Sequence, residues 1–282
     1  MLIVSRDGPS SQGHGPEPFF RHRYHETVYS IETYDQAIRP SPIFFVLVAA
    51  TVVAGWLTTT DLVPTGIAVF VFVLAAWVLS VTFHEFAHAY VAWRSGDRSI
   101  AQRGYLTLDP RKYTHPILSI VLPIVFLIMG ALPLPGGAVL INRAALNDSQ
   151  ATLVALAGPF TNLTLGGLSL LAVSRDLINV ASQPVLASSV AFFGFIQIAV
   201  FVLNMLPVPG LDGYAAIEPS LPESTRQLLR PVAQYSFLIL ILALFYVDAV
   251  GRAFWNAIIF IVELFGVERA LWLSGFQFFE FW

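Results

Sequence analysis

The sequence predicts an all-α polytopic integral membrane protein, with about six transmembrane helices and a short membrane-associated β-hairpin. Two observations carry that expectation. Only 12% of the 282 residues are charged while 56% are hydrophobic, with a mean hydropathy of +0.70. A soluble domain carries about 25% charged residues, so this chain could not cover a globular surface with polar groups. The apolar residues also gather in long runs, and a helix needs roughly 20 mostly apolar residues to cross a bilayer.

The elements follow in order. Residues 1–42 are polar and rich in Pro, Gly, His and Arg, and they read as a flexible tail without a removable signal peptide. His14, His22 and His25 in this tail read as solvated side chains rather than a metal tract. Ile43–Thr59 is a first, slightly short apolar segment. Gly66–Trp93 is the second, interrupted only by His84, Glu85 and His88, and a basic loop with Arg94, Arg98, Arg103, Arg111 and Lys112 follows it. Ile117–Leu132 is shorter and contains Pro123. Pro135-Gly136-Gly137-Ala138-Val139-Leu140-Ile141-Asn142 reads as a turn entering a strand. Gln150–Val173, Leu186–Leu206 and Val232–Val247 are good spanning segments. From Phe254 to Trp282 the chain is aromatic and apolar but carries Glu263, Glu268, Arg269 and Glu280, so one more span and an interfacial helix are both open there.

Composition also excludes chemistry. Net charge is −3 and the basic residues, all Arg but one, are spread among loops, so nucleic-acid binding has no electrostatic support. Cys is absent. That removes disulfides, thiolate catalysis and Cys-ligated metal, and leaves His and carboxylate as metal ligands.

His84-Glu85-Phe86-Ala87-His88 is an HExxH motif. On a helix the two His project from one face and can grip one Zn²⁺, with Glu85 beside the metal-bound water. Polar residues on a solvated helix face would be the bland alternative. It competes poorly, because His84 lies nine residues before Trp93, about 14 Å into the span, where such groups cost several kcal/mol unless they serve one another or a ligand. A catalytic zinc takes a third protein ligand. Asp212 is the best local candidate, since Pro207, Pro209 and Gly210 break the preceding helix and let the backbone turn inward. An interfacial turn is the alternative for Asp212, and His115 and Asp109 remain competing third ligands.

Together, HEFAH in a membrane helix, Ala157-Gly158-Pro159-Phe160-Thr161-Asn162 in a later one, and Asn204-x-x-Pro207-x-Pro209-x-Leu211-Asp212-Gly213 resemble the site-2 protease family of intramembrane zinc metalloproteases. The resemblance runs from about Phe83 to Tyr214 and points to a compact prokaryotic subgroup lacking PDZ and CBS domains. It implies zinc ligation by His84, His88 and Asp212, one ion per chain, with Glu85 as general base. It implies that Asn162 and Asn204 contact substrate or polarise its carbonyl, interhelical hydrogen bonding being the alternative. The substrate would be a transmembrane segment of another protein in the lipid bilayer. Gly137, Val139 and Ile141 would pair with its unwound stretch by strand addition. Residues 43–273 then form a transmembrane metalloprotease domain with its catalytic core at about 66–214, and 274–282 an aromatic end. An inactive zinc-binding membrane scaffold and a metal transporter are the competing functions.

Topology is constrained by parity. His84 and His88 lie near the C-terminal end of one span and Asp212 lies just past the C-terminal end of another. To share one ion, those spans must run parallel, which needs an odd number of crossings between them. Gln150–Val173 is long enough to cross, so Ile117–Leu132 is expected to dip and return. With the N-terminus cytoplasmic, 12 of the 15 basic residues then lie inside, and the active site sits near the cytoplasmic face of the cell membrane. Single cysteines at Ser95, Ala145 and Ser182 test this with a membrane-impermeant thiol reagent. Ser95→Cys and Ala145→Cys should label only in opened cells, and Ser182→Cys from outside; opposite-face labelling of the first two would sink the dip.

Overall fold

The computed structural model describes residues 3–5, 38–113 and 139–280. In chain order the elements are β1 (Ile3–Ser5), α1 (Pro42–Leu57), α2 (Thr65–Arg94), α3 (Ser99–Gln102), β2 (Leu140–Asn142), α4 (Asp148–Ser174), α5 (Pro184–Asn204), α6 (Asp212–Ile217), α7 (Glu223–Tyr246), α8 (Asp248–Leu264) and α9 (Arg269–Phe279). The chain is mostly helical, as its composition predicts. Among the described residues, α2, α4 and α5 are each long and apolar enough to cross a membrane. The segment from Glu223 to Tyr246 bends by 68° and makes a fourth span if both arms belong to one crossing. With its 16 residues, α1 reaches only about 24 Å. The expected dip at 117–132 lies outside the described residues.

Among the described residues two regions take a definite form. The described strand pairing is not a hairpin: β2 pairs in parallel with β1, register Val4 to Ile141, so strands far apart in sequence meet. The stretch from Phe254 onward, left open between a further span and an interfacial helix, is divided between two helices. It breaks after Leu264 and continues as α9, which packs against α5 and α2. Glycine closes that contact: a Cβ at Gly275 would lie 2.1 Å from the Ser188 carbonyl oxygen. Trp272 stacks on Phe195 at 4.1 Å and Phe276 meets Phe192, so its aromatic residues serve packing.

At the centre stands α5. Its sequence is apolar all round, the signature of a helix enclosed by others, and Ala191, Ile196, Ile198, Ala199 and Leu203 are all buried. It crosses α4 on two glycines: a Cβ on Gly166 would lie 2.9 Å from Ile198, and one on Gly194 2.8 Å from Leu170. Membrane helices have no hydrophobic drive toward each other, so small residues that admit close backbone packing decide where they cross. Direction follows from the pairs. Gly166 faces Gly194 and Asn162 bonds Gln197, so α4 runs antiparallel to α5. His88 bonds Val154 and His84 bonds Asn162, so α4 is antiparallel to α2 as well. Helices α2 and α5 therefore run parallel.

A second cluster closes the other end. Val139 and Ile141 bury against Trp93, Ile100, Leu106 and Tyr113. Asp97, just past α2, accepts from the Ser99 amide and hydroxyl and from the Asn142 amide at 2.7 Å. This carboxylate ties β2 to the end of α2. Asn147 and Gln150 form a reciprocal capping box that starts α4. Replacing Gly194 by Leu should force α4 off α5 and cost about 1–3 kcal/mol, read as a lowered thermal midpoint in detergent. Leu168→Ala, on an exposed face of α4, should leave that midpoint nearly unchanged.

Candidate metal centre

Helix geometry places His84 and His88 one turn apart on α2, and both are buried, as is Glu85 between them. Each imidazole is held from behind by α4. The Nδ1–H of His88 donates to the Val154 carbonyl oxygen at 2.6 Å. A carbonyl can only accept, so that proton sits on Nδ1 and the Nε2 lone pair is turned the other way. His84 bonds through Nδ1 to the Asn162 side-chain oxygen at 2.5 Å and likewise presents Nε2.

Asp212 completes the group. Helix α5 ends at Asn204, and the chain turns through Pro207, Pro209 and Gly210, the last at φ 96°. That left-handed conformation suits glycine. Asp212 then opens α6. A Cβ on Gly213 would lie 2.4 Å from the Met205 carbonyl oxygen, so only glycine lets α6 fold back this tightly. The turn is held further by the Ser236 hydroxyl, which donates to the Pro209 carbonyl, and by the Thr152 hydroxyl on α4, which donates to the Ala216 carbonyl at 2.7 Å.

The distances test whether these residues fit a metal. The two Nε2 atoms are 3.1 Å apart, and the Asp212 Oδ2 lies 3.2 Å from His84 Nε2 and 3.4 Å from His88 Nε2. Four-coordinate zinc with ligands at 2.0–2.2 Å has neighbouring donors about 3.3 Å apart. Three lone-pair donors thus share one buried point, and neither Asp212 oxygen has a hydrogen-bond partner. A proton could bridge one pair of them, whereas a divalent cation satisfies all three. Among the described residues this is also the one group of His and carboxylate ligands with metal-binding spacing.

Of the competing ligands, Asp109 is engaged elsewhere. Asp109 accepts from Arg111 in a two-pronged ion pair, at 3.0 and 2.8 Å. That guanidinium bond holds its carboxyl below the usual range. His115 and Gly137 lie outside the described residues. Tyr113 donates to the Tyr105 carbonyl; burial, and then the Glu85 charge, pushes its phenol far up. Val139 and Ile141 turn their side chains into the core, so only the backbone of β2 can meet another strand. Both asparagines are buried. Asn162 has its two amide ends engaged, on His84 and on Gln197, whereas the Asn204 side-chain amide nitrogen has no partner.

Three participants escape sequence reasoning. Gly158 gives α4 room to pass the imidazoles: a Cβ there would lie 2.2 Å from His88 Nε2 and 2.5 Å from His84 Nε2. Gln197 and Ser80 stand behind Asn162. A lone Gln in the apolar α5 run was the available signal, since polar groups at membrane depth need a reason. Metal analysis of purified variants tests the centre. Gly158→Ala and Asp212→Asn should each lose most bound zinc, and Asp109→Asn should retain it; the reverse order for the two Asp variants would move the third ligand into the basic loop.

Similar proteins carry names that point to zinc. The chain is 44% identical over 251 residues to the "Putative zinc metalloprotease Rip2" of Mycobacterium tuberculosis, covering 88% of this chain and 96% of that protein. The protein of the same name from Mycolicibacterium smegmatis is 41% identical over the same shares. The "Putative zinc metalloprotease YwhC" of Bacillus subtilis is 32% identical over 57% of this chain and 74% of its own length. No family model and no solved structure matches the chain. With two His on an apolar helix meeting one carboxylate at zinc-type spacing, and relatives matched across nearly their whole length, the chain belongs to the site-2 protease family of zinc metalloproteases.

Proposed function

We propose that the chain is an intramembrane endopeptidase that hydrolyses peptide bonds within or near transmembrane segments of membrane-protein substrates. His84, His88 and Asp212 hold one zinc ion per chain. The observation that carries this reading is the convergence of their three lone-pair donors within 3.4 Å of one another, with both His on a helix fit to cross a bilayer. When bound, zinc supplies a Lewis acid that polarises a carbonyl and acidifies water.

The chain's own residues do the rest. Glu85, buried beside the pair, takes the proton from the attacking water and returns it to the leaving amine. Asn204 ends α5 with a buried amide donor that has no partner, and it hydrogen-bonds the substrate backbone near the scissile bond. Asn162 orients His84 instead of touching substrate. A substrate helix hides its peptide bonds in its own hydrogen bonds, so it must unwind to be cut. Strand β2 receives the extended stretch by strand addition, through its main chain; the parallel pairing it already makes with Ile3–Ser5 supports its capacity to bind one.

The site opens toward the cytoplasm, with the N-terminus on the same side. The distribution of basic residues supports this, and the 2.7 Å bond between Asp97 and Asn142, which joins both ends of the 98–141 connection, supports its return to the side it left. An inactive scaffold would need a broken motif, and every expected residue is present. A transporter would need polar groups strung along a route, whereas these gather at one point. Glu85→Gln separates the readings. It should keep one zinc per chain yet lose at least a hundredfold in cleavage, with a membrane protein accumulating uncleaved in cells that carry it. Substantial peptidase activity of Glu85→Gln in detergent would refute the assigned base.

A further inference from the structure

We infer that Gln197 and Ser80 are positioning residues that set the orientation of the Asn162 amide, and through it the His84 tautomer that leaves Nε2 free for the metal. The inference rests on the ligand assignment proposed above.

The direction of the chain of bonds can be read from its far end. The Ser80 hydroxyl oxygen lies 2.8 Å from the Trp77 carbonyl oxygen. Two oxygens this close share a proton, and a carbonyl has none, so Ser80 donates. The lone pairs of Ser80 then face Gln197, 2.9 Å away, and the Gln197 group there must be its NH₂. That turns the Gln197 carbonyl oxygen toward Asn162, at 2.7 Å, and it accepts from the Asn162 NH₂. The Asn162 oxygen is left facing His84 Nδ1, which must carry the proton. A backbone carbonyl on α2 thereby dictates, through three side chains on three helices, which nitrogen of His84 has its lone pair toward Asp212. His88 reaches the same state in one step, from the Val154 carbonyl.

The relay is enclosed. Ser80, Asn162 and Gln197 are each at most 2% exposed, so water does not compete for these bonds. Without Gln197, nothing in the relay distinguishes the Asn162 oxygen from its nitrogen. A flipped amide would present NH₂ to Nδ1, force the proton onto Nε2 and remove a ligand lone pair. Outer partners of metal-bound His typically change metal affinity 10–100-fold.

The test is a cycle read as zinc affinity, by competition with a chromophoric chelator on purified protein in detergent. Gln197→Leu should weaken zinc binding 10–100-fold, and Gln197→Glu, which still accepts from Asn162, should restore most of it. Asn162→Asp removes the ambiguity at its source, because a carboxylate can only accept from Nδ1. In the Asn162→Asp background, Gln197→Leu should therefore weaken zinc binding less than threefold further. An equal loss in both backgrounds would assign Gln197 to packing and overturn the inference, as would an unchanged affinity in Gln197→Leu alone. Size-exclusion profiles check folding; should Gln197→Leu aggregate, Gln197→Met in both backgrounds takes its place with the same expectations. His84→Ala distinguishes the two levels. If it loses zinc while Gln197→Leu does not, only the relay fails; if it retains zinc, the ligand assignment fails.

Discussion

Three electron-pair donors held 3.1–3.4 Å apart in an apolar interior repel one another until a cation arrives. Everything around the centre has to hold them there. Burying a carboxylate without a partner costs several kcal/mol, and Asp212 has no hydrogen-bond partner for either oxygen. A cation held by all three donors would offset this cost.

Helix α4 does most of the holding. It contributes no ligand, yet it fixes both ligand imidazoles from behind, through Val154 and Asn162. It also pins α6 through Thr152. At Gly158 it runs so close to the imidazoles that even a methyl group would occupy the space of the ring nitrogens. Its position is set in turn by the Gly166–Gly194 crossing with α5, one or two turns further along. Site geometry and bundle packing are therefore one construction, and a change at the crossing reaches the centre through a rigid helix rather than through any contact with it.

The antiparallel placement of α4 between two parallel helices brings the C-terminal parts of α2 and α5 to the same end of the bundle. A motif within one helix and a ligand after another can then share a point. The same end carries β2, tethered to α2 by Asp97 and packed on Trp93 and Tyr113. An extended strand at this end fits the proposed reaction, whose substrate would have to leave the helical state before its peptide bonds are accessible.

The sequence by itself determined the membrane class, because composition and apolar run length are bulk properties that need no contacts to interpret. It also determined the His84–Glu85–His88 part of the centre, since a helix places residues four apart on one face whatever surrounds it. For Asp212 the sequence offered a broken helix end but no partner; the fold of the 204–212 turn brings its carboxylate to the two Nε2 atoms, while Arg111 engages Asp109. Asn162 was legible as a buried polar group, but not its occupation on His84, because hydrogen-bond partners 78 residues apart are set by helix crossing. The chain's C-terminal aromatic stretch shows the same limit: a further span and an interfacial helix were both open from its sequence, and its packing on α5 exists only in the tertiary structure. The roles of Gly158, Gln197 and Ser80 were not legible in the sequence for one physical reason, even though Gly158 stands in a quoted motif and Gln197 is a lone polar group in an apolar run. Their contribution is space or orientation supplied to a neighbour, and it exists only once α2, α4 and α5 have met.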